Sequence, residues 1–181
     1  MIGWIGFGAK IIFIYIWILN RDKQMTTLNI EFNGDMKASD DKGGQIFHVN
    51  RKFKWTSKIV LSFFRGNTLI LRAGHYTLNP FSGVKIDYQN LDHLVSISKN
   101  VLTVAGLGII KIKQNHFSYV INKRLGSIYH NGTEIASVVL RSRLSQANAI
   151  LEVKFATKEV DLIFYSMLFL AIENSDIDGG C

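Results

Sequence analysis

The stretch that decides the fold is VDLIFYSMLFLAI, residues 160–172, near the C-terminal end of the chain. Drawn as a helix, it is apolar on every face, and a helix without a polar face must be buried on all sides. Its 13 residues would form a helix about 20 Å long, which is too short to cross a bilayer core of about 30 Å. We therefore predict a helix that lies inside the protein.

The chain between Met25 and this helix is divided into short runs of alternating polar and apolar residues, which are typical of β-strands. The first run is 28–32, and the polar, glycine-containing residues 33–44 that follow it are predicted to form a loop. Further strands are predicted at 46–55, 58–64, 68–73, 84–88, 94–98, 101–105, 109–113, 117–122, 126–130, 134–141 and 149–155. The strongest turn signal is Asn131-Gly132, because a type I′ hairpin turn needs a positive φ at both central positions.

These strands are the only elements available to cover the apolar helix. The sequence therefore predicts a mainly β fold, with about twelve antiparallel strands forming a barrel around a buried C-terminal helix. The predicted organisation is a β-barrel domain over residues 25–181, with its central helix at 160–172, preceded by a hydrophobic segment at 1–24.

The hydrophobic N-terminal segment begins with MIGWIGFGAKIIFIYIWIL, residues 1–19, in which Lys10 is the one charged residue. Its length is close to the roughly 20 residues that span a bilayer, although a central lysine costs about 2.5 to 3.5 kcal/mol on insertion scales. We predict a membrane segment, and its basic flank at Arg21 and Lys23 favours a domain that faces the cytoplasm. The alternatives are a cleaved secretory signal, and a hydrophobic strand or a mis-assigned start before Met25.

The C-terminal third of the chain joins the hairpin IYHNGTEIASV at 128–138 to the strand AILEVKF, an acidic turn at Glu159 and Asp161, and the apolar helix. In this order of elements the chain resembles the tubby C-terminal-like superfamily, which includes the tubby proteins, phospholipid scramblases and LURP-one-related proteins. The resemblance implies a twelve-stranded antiparallel barrel around a central hydrophobic helix, and it extends over about residues 45–174. We find neither the tubby lipid-binding signature nor the scramblase calcium segment in this sequence.

Positive charge is concentrated in the middle of the chain. Residues 51–143 contain 14 basic and 3 acidic residues, whereas acidic residues are in excess from Glu152 onward. The densest basic run is RKFKWTSKIVLSFFR, residues 51–65, which holds five positive charges and no acid. The candidate anion-binding residues are Arg51, Lys52, Lys54, Lys58 and Arg65.

Two interpretations of this basic run differ in function. On a membrane-tethered domain it would bind anionic phospholipid headgroups, where each basic residue near the surface contributes about 1 kcal/mol. Alternatively, its charges are simply the solvent-facing positions of strands, where they raise solubility. A nucleic acid partner is not predicted, because the aromatic residues alternate with the charges as core positions should.

Motifs for catalysis or metal binding are missing from the sequence. The five histidines are scattered singly, and the one cysteine is the last residue, so neither local metal-ligand spacing nor a disulfide framework is present. We therefore predict no catalytic residue, metal or cofactor, and a non-catalytic, membrane-tethered binding or scaffold module that contacts an anionic surface. The alternative is a soluble protein-binding factor, such as an inhibitor or immunity-type partner, whose basic face docks an acidic protein.

Overall fold

The structure is a computed structural model that describes residues 25–175, except for residues 34, 55–57, 77–82, 99, 116–119 and 146–147. The predicted membrane segment at residues 1–24 lies outside the described residues. Within the described ranges, no helix has the length and apolar character needed to cross a membrane.

The described part of the chain contains twelve strands followed by one helix. The strands are β1 (Thr26–Asn33), β2 (Asp35–Asp40), β3 (Gln45–Lys54), β4 (Lys58–Arg65), β5 (Thr68–Tyr76), β6 (Val84–Gln89), β7 (Val95–Ser98), β8 (Val101–Val104), β9 (Gly108–Gln114), β10 (Arg124–His130), β11 (Thr133–Ser145) and β12 (Asn148–Phe155). The helix is α1 (Val160–Glu173), which confirms the helix predicted over 160–172.

All twelve strands belong to one antiparallel sheet in the order β6-β5-β4-β3-β2-β1-β12-β11-β10-β9-β8-β7. Strands that follow each other in sequence are neighbours, except β6 and β7, and β12 returns to pair with β1. No ladder joins β6 to β7 in the described part of the chain, but the Val95 amide donates to Gln89 Oε1 across this seam at 2.9 Å. The sheet is therefore a nearly closed barrel, and the prediction of a mainly β, antiparallel fold is confirmed.

The loop predicted at 33–44 was wrong, and so was the strand predicted at 117–122 over its described residues 120–122, although the number of strands agrees. The loop predicted at 33–44 contains β2, whose buried Met36 and Ala38 alternate with exposed charged residues that resemble a loop in sequence. In the strand predicted at 117–122, Val120 lies outside any strand. Asn122 has a positive φ of 64°, as in a turn. Residues 116–119 lie outside the described residues, so the rest of that prediction is untested.

The hairpin between β10 and β11 forms as predicted. Its turn residues, Asn131 and Gly132, have φ values of 47° and 86°, and His130 pairs directly with Thr133 across the turn. A two-residue turn with positive φ at both positions matches the right-handed twist of the strands that it joins.

The connections between strands alternate between the two ends of the barrel, because the chain reverses direction at every turn. We call end A the end that carries the β1–β2, β3–β4, β5–β6, β7–β8, β9–β10 and β11–β12 connections. End B carries the other connections, the start of β1 and the segment that leads from β12 into α1.

The helix runs from end B toward end A alongside β3. Near end B, Phe164 in its first turns packs edge-on against Phe47 of β3, with ring centroids 6.0 Å apart. Toward end A, the carbonyl of Ser175, just past the helix, accepts a hydrogen bond from Arg51 of β3. Leu162 and each residue from 164 to 172 are buried, and they share one hydrophobic core with the inward-facing residues of the strands.

Candidate anionic-surface site

The five predicted basic residues lie on the hairpin of β3 and β4, where alternation sends neighbouring side chains to opposite faces. Odd-numbered positions such as Val49, Leu61 and Phe63 are buried and face the core. Lys52 and Lys58 are at even-numbered positions and face outward. The sequence cluster is thus divided between the inner and outer faces of the barrel wall.

Arg51 points inward and contacts the end of the helix. Its Nη1 donates to the carbonyl oxygen of Ser175 at 2.9 Å, immediately beyond the C-terminal end of α1. The last turn of α1 has no basic residue of its own, so Arg51 supplies the cation that the negative end of a helix dipole favours. Its guanidinium is therefore engaged in holding the helix in place.

Arg65 lies far from the other four residues. It ends β4 at end B, seven residues or about 23 Å along the strand from Lys58 at end A. Its guanidinium carbon lies 4.5 Å from the centroid of the Phe164 ring, which is a cation–π geometry. Arg65 therefore belongs to the end of the barrel where α1 begins.

Lys52, Lys54 and Lys58 remain together on the outer face near end A. Lys54 is directly opposite Lys58 in the β3–β4 register, a like-charge placement that is unfavourable unless one side chain turns away. Lys58 does so, because its Nζ reaches Asp87 Oδ2 of β6 at 3.0 Å. The Lys58 side chain passes over Gly74 of β5 to reach Asp87, and a Cβ at position 74 would lie 2.1 Å from Lys58 Cε. Glycine at this position therefore allows the ion pair to form.

The register of the next two strands adds Arg72 and Lys85 to the same outer face. Val60 of β4 is opposite Gly74, and Gly74 is opposite Lys85. Arg72 is opposite Ser62, which lies two residues further from end A than Val60. The side chains of Arg72 and Lys85 are both exposed. We call Lys52, Lys54, Lys58, Arg72 and Lys85 the basic patch.

The basic patch is weakly neutralised. Asp87 pairs with Lys58, whereas no carboxylate of the described residues lies within 4 Å of Lys52, Lys54, Arg72 or Lys85. Four cations on adjacent strands therefore face solvent without an ion pair in the part of the chain that the structure describes. Such a surface attracts anions over about a Debye length, which is roughly 8 Å at physiological salt.

The wall formed by β10, β11 and β12 is different, because Arg124 and Arg141, the arginines of this wall whose side chains the structure describes, are paired. Arg124 contacts Glu134, and Arg141 binds both oxygens of Glu152 through Nε at 2.8 Å and Nη2 at 2.7 Å. The hydrogen bond from Arg141, followed by that from Lys154, lowers the pKa of Glu152, against an opposing effect of burial. Among the described side chains of this wall, the charges of Arg124, Arg141 and Lys154 are thus paired within the protein.

The seam beside the basic patch is fastened to the helix by a tyrosine. The buried Tyr165 hydroxyl accepts a hydrogen bond from the His93 amide at 2.9 Å and donates to the His93 carbonyl at 3.3 Å. Burial is the main cause that raises the pKa of Tyr165. These contacts hold the β6–β7 connection against α1.

Within the described ranges, no group of three or more His, Cys, Asp and Glu side chains is arranged to hold a metal ion. Comparison with protein-family models, with curated proteins and with solved structures found no match to this chain. The resemblance to the tubby-like proteins therefore stays a prediction from sequence.

Proposed function

We propose that this chain is a non-catalytic binding module that contacts the anionic headgroups of a membrane through the basic patch and is tethered there by residues 1–24. The observation that carries the proposal is the strand register of β3 to β6, which places five basic residues on one outer face. On the wall at β10 to β12, by contrast, the two arginines with described side chains, Arg124 and Arg141, are paired with glutamates.

The strength of the patch fits a module that also needs a tether. Each basic residue near an anionic bilayer contributes about 1 kcal/mol, so four cations without ion pairs would contribute about 4 kcal/mol. That free energy corresponds to a dissociation constant of about 1 mM, which is too weak to hold a protein at a membrane. Stable anchoring takes two signals, and the hydrophobic N-terminal segment would supply the second.

The proposal includes a tubby-like arrangement in which α1 lies along the axis of the barrel. Twelve strands about 4.8 Å apart and tilted by about 40° form a barrel roughly 24 Å in diameter. An enclosed helix with its side chains is about 10 to 12 Å wide, so the space on each side suits one layer of inward-facing side chains. Burial of every residue from 164 to 172 supports this arrangement.

A sedimentation experiment with vesicles tests the lipid contact. The full chain, and a version that starts at Met25 and is shown to be folded by circular dichroism, are mixed with phosphatidylserine-containing or pure phosphatidylcholine vesicles at low and high salt. We expect the shorter version to bind only the anionic vesicles and only at low salt. The full chain should also stay bound after a high-salt wash.

The matched variants separate the patch from general positive charge. Lys52→Gln/Lys54→Gln removes two patch charges and should weaken binding of the shorter version about 30-fold, from about 1 kcal/mol for each charge. Lys42→Gln/Lys158→Gln removes two exposed charges at end B and should change binding little. If the two variants lose vesicle binding to the same extent, the proposal is contradicted. If both versions stay in the supernatant with every vesicle, an acidic protein becomes the better partner.

A further inference from the structure

Lys58 differs from the other four residues of the basic patch in its surroundings. Its side chain is 16% exposed, and its Nζ contacts Asp87 Oδ2 at 3.0 Å. The other four residues of the patch are exposed. One of the five cations on this face is therefore bound to a carboxylate of the protein itself.

Asp87 is brought to this face by an irregularity in β6. In the register with β5, the residues on either side of Asp87 pair with the adjacent residues Arg72 and Ala73, so Asp87 is the extra residue of a β-bulge. Ile86 packs against the core, whereas Lys85 and Asp87 are exposed. A bulge redirects the side chains of a strand, and this one adds a carboxylate to the basic outer face.

Gly74 of β5 gives the Lys58 side chain its path to Asp87. A Cβ at position 74 would lie 2.1 Å from Lys58 Cε and 2.7 Å from Lys58 Nζ. Every other residue type would therefore push the ammonium group away from its present place. A glycine inside a strand often marks a position where another group must approach the backbone closely.

The stability of the fold does not explain this arrangement well. The side chain of Asp87 is 32% exposed, and solvent screens an ion pair at the surface, so that it stabilises a protein little. The glycine weakens its strand through conformational entropy, and the bulge interrupts the ladder between two strands. Two unfavourable backbone features thus serve one weak contact, which favours a role in binding.

The cross-strand register places the Lys58 ammonium group in the middle of the patch. Gly74 lies opposite Lys85 of β6 on one side and opposite Val60 of β4 on the other. Val60 in turn lies opposite Lys52 of β3. The Lys58 Nζ over Gly74 is therefore between Lys52 and Lys85, whose strands are about 14 Å apart. An anion that is attracted by these two exposed lysines also reaches Lys58.

We propose that Asp87 is a built-in competitor for Lys58, and that an anionic headgroup displaces it when the basic patch meets a bilayer. The inference rests on the proposed function and adds its regulation. In the free protein, Asp87 withholds one cation from the patch. At an anionic bilayer, Lys58 turns from Asp87 to the lipid, and the carboxylate of Asp87 is left to solvent.

Residue-specific chemical labelling of the full chain tests this exchange. The chain is mixed with phosphatidylcholine vesicles with or without phosphatidylglycerol, which carries neither an amine nor a carboxyl group. Amines are acetylated, carboxyl groups are coupled by a carbodiimide, and both are quantified by mass spectrometry. We expect phosphatidylglycerol to protect Lys58 together with Lys52 and Lys85. It should raise the labelling of Asp87 about twofold, because a weak ion pair is closed for only part of the time.

Glu134 is the matched control, because it is paired with Arg124 on the opposite wall and its labelling should not depend on the vesicle. Equal rises at Asp87 and Glu134 would overturn the inference, since reagent that accumulates at the anionic surface would then be the cause. Protection of Lys52 and Lys85 with unchanged labelling of Asp87 would overturn it and leave the proposed lipid contact in place. An absence of any change at the lysines and at Asp87 would refute both.

Two variants open the ion pair without lipid. Gly74→Ala removes no charge and places a methyl group in the path of Lys58, and Lys58→Gln removes the cation itself. In both variants, Asp87 should be labelled to the same, higher extent with either kind of vesicle. Val60→Ala, a control in the same cross-strand row, should keep the dependence on phosphatidylglycerol. If Gly74→Ala and Lys58→Gln also keep it, the contact with Lys58 is not its source and the inference is wrong.

Discussion

The inner and outer faces of β3 each carry a basic residue, but the two residues have different surroundings. Arg51 faces inward and donates to the Ser175 carbonyl at the end of α1, whereas its neighbour Lys52 faces outward without a carboxylate within 4 Å in the described part of the chain. A shift of one residue along a strand exchanges the two faces. Arg51 therefore stabilises the fold from the inner face, whereas Lys52 faces solvent on the outer face.

The largest effect is expected for a truncation deep in the inner region. Phe169 of α1 is fully buried, so Phe169→Ala should lower the free energy of unfolding by about 3 to 5 kcal/mol. Val160→Ala, at the exposed start of the same helix, should change it by less than about 0.5 kcal/mol. Urea unfolding measures both, and similar values would show that α1 is not buried in the core.

The pair Arg51→Gln and Lys52→Gln tests the comparison directly. Removal of the Arg51 guanidinium leaves the Ser175 carbonyl without its charged donor, at a cost of about 1.5 to 3 kcal/mol in the free energy of unfolding. Lys52→Gln should cost less than about 0.5 kcal/mol, although it should weaken vesicle binding. Equal losses of stability in urea unfolding would mean that the two faces do not differ in this way.

A smaller loss is expected for Tyr165→Phe, which removes both hydrogen bonds to His93. Each hydrogen bond contributes about 0.5 to 1.5 kcal/mol, and hydrogen exchange at the His93 and Val95 amides should become faster. Because the pKa of Tyr165 is raised in the folded protein, its stabilising effect is present below about pH 10 and is lost as the pH rises through the folded pKa. Tyr165→Phe should remove this loss of stability at alkaline pH. If the dependence of stability on pH is the same in the variant, the hydrogen bonds between Tyr165 and His93 are not its cause.

The smallest effect concerns the ion pair of Arg141 and Glu152 on the outer face. The pKa of Glu152 is lowered in the folded protein. The ion pair therefore stabilises the folded protein at pH values above the unfolded pKa of about 4.5. This stabilisation is lost as the pH falls through the pKa of Glu152 in the folded protein. Solvent screens the pair. The melting temperature of Glu152→Gln should lie slightly below that of the unchanged protein at pH 7, and this difference should shrink as the pH falls below about 4.5. A gap that persists in acid would point to packing rather than charge.

The residue pattern was sufficient to predict the class of fold. Helix α1 could be predicted because its apolar residues cover every face, and the Asn131-Gly132 hairpin because few residue pairs accept two positive φ values. β2 was missed because its exposed positions are charged and its buried ones, Met36 and Ala38, are few. Local composition therefore identified long apolar elements and tight turns, and failed where a strand is half polar and short.

The basic patch needed the tertiary structure. The sequence named Lys52, Lys54 and Lys58, because they are close together in the chain, but it grouped them with Arg51 and Arg65 and omitted Arg72 and Lys85. Composition, alternation and turn residues are local, so the sequence by itself determined most of the strands, the apolar helix segment and the charge. The strand register brings Lys85 beside Gly74 and decides the face on which each charge lies. This register depends on pairing between distant residues and on burial of one face, and only the folded chain decides both.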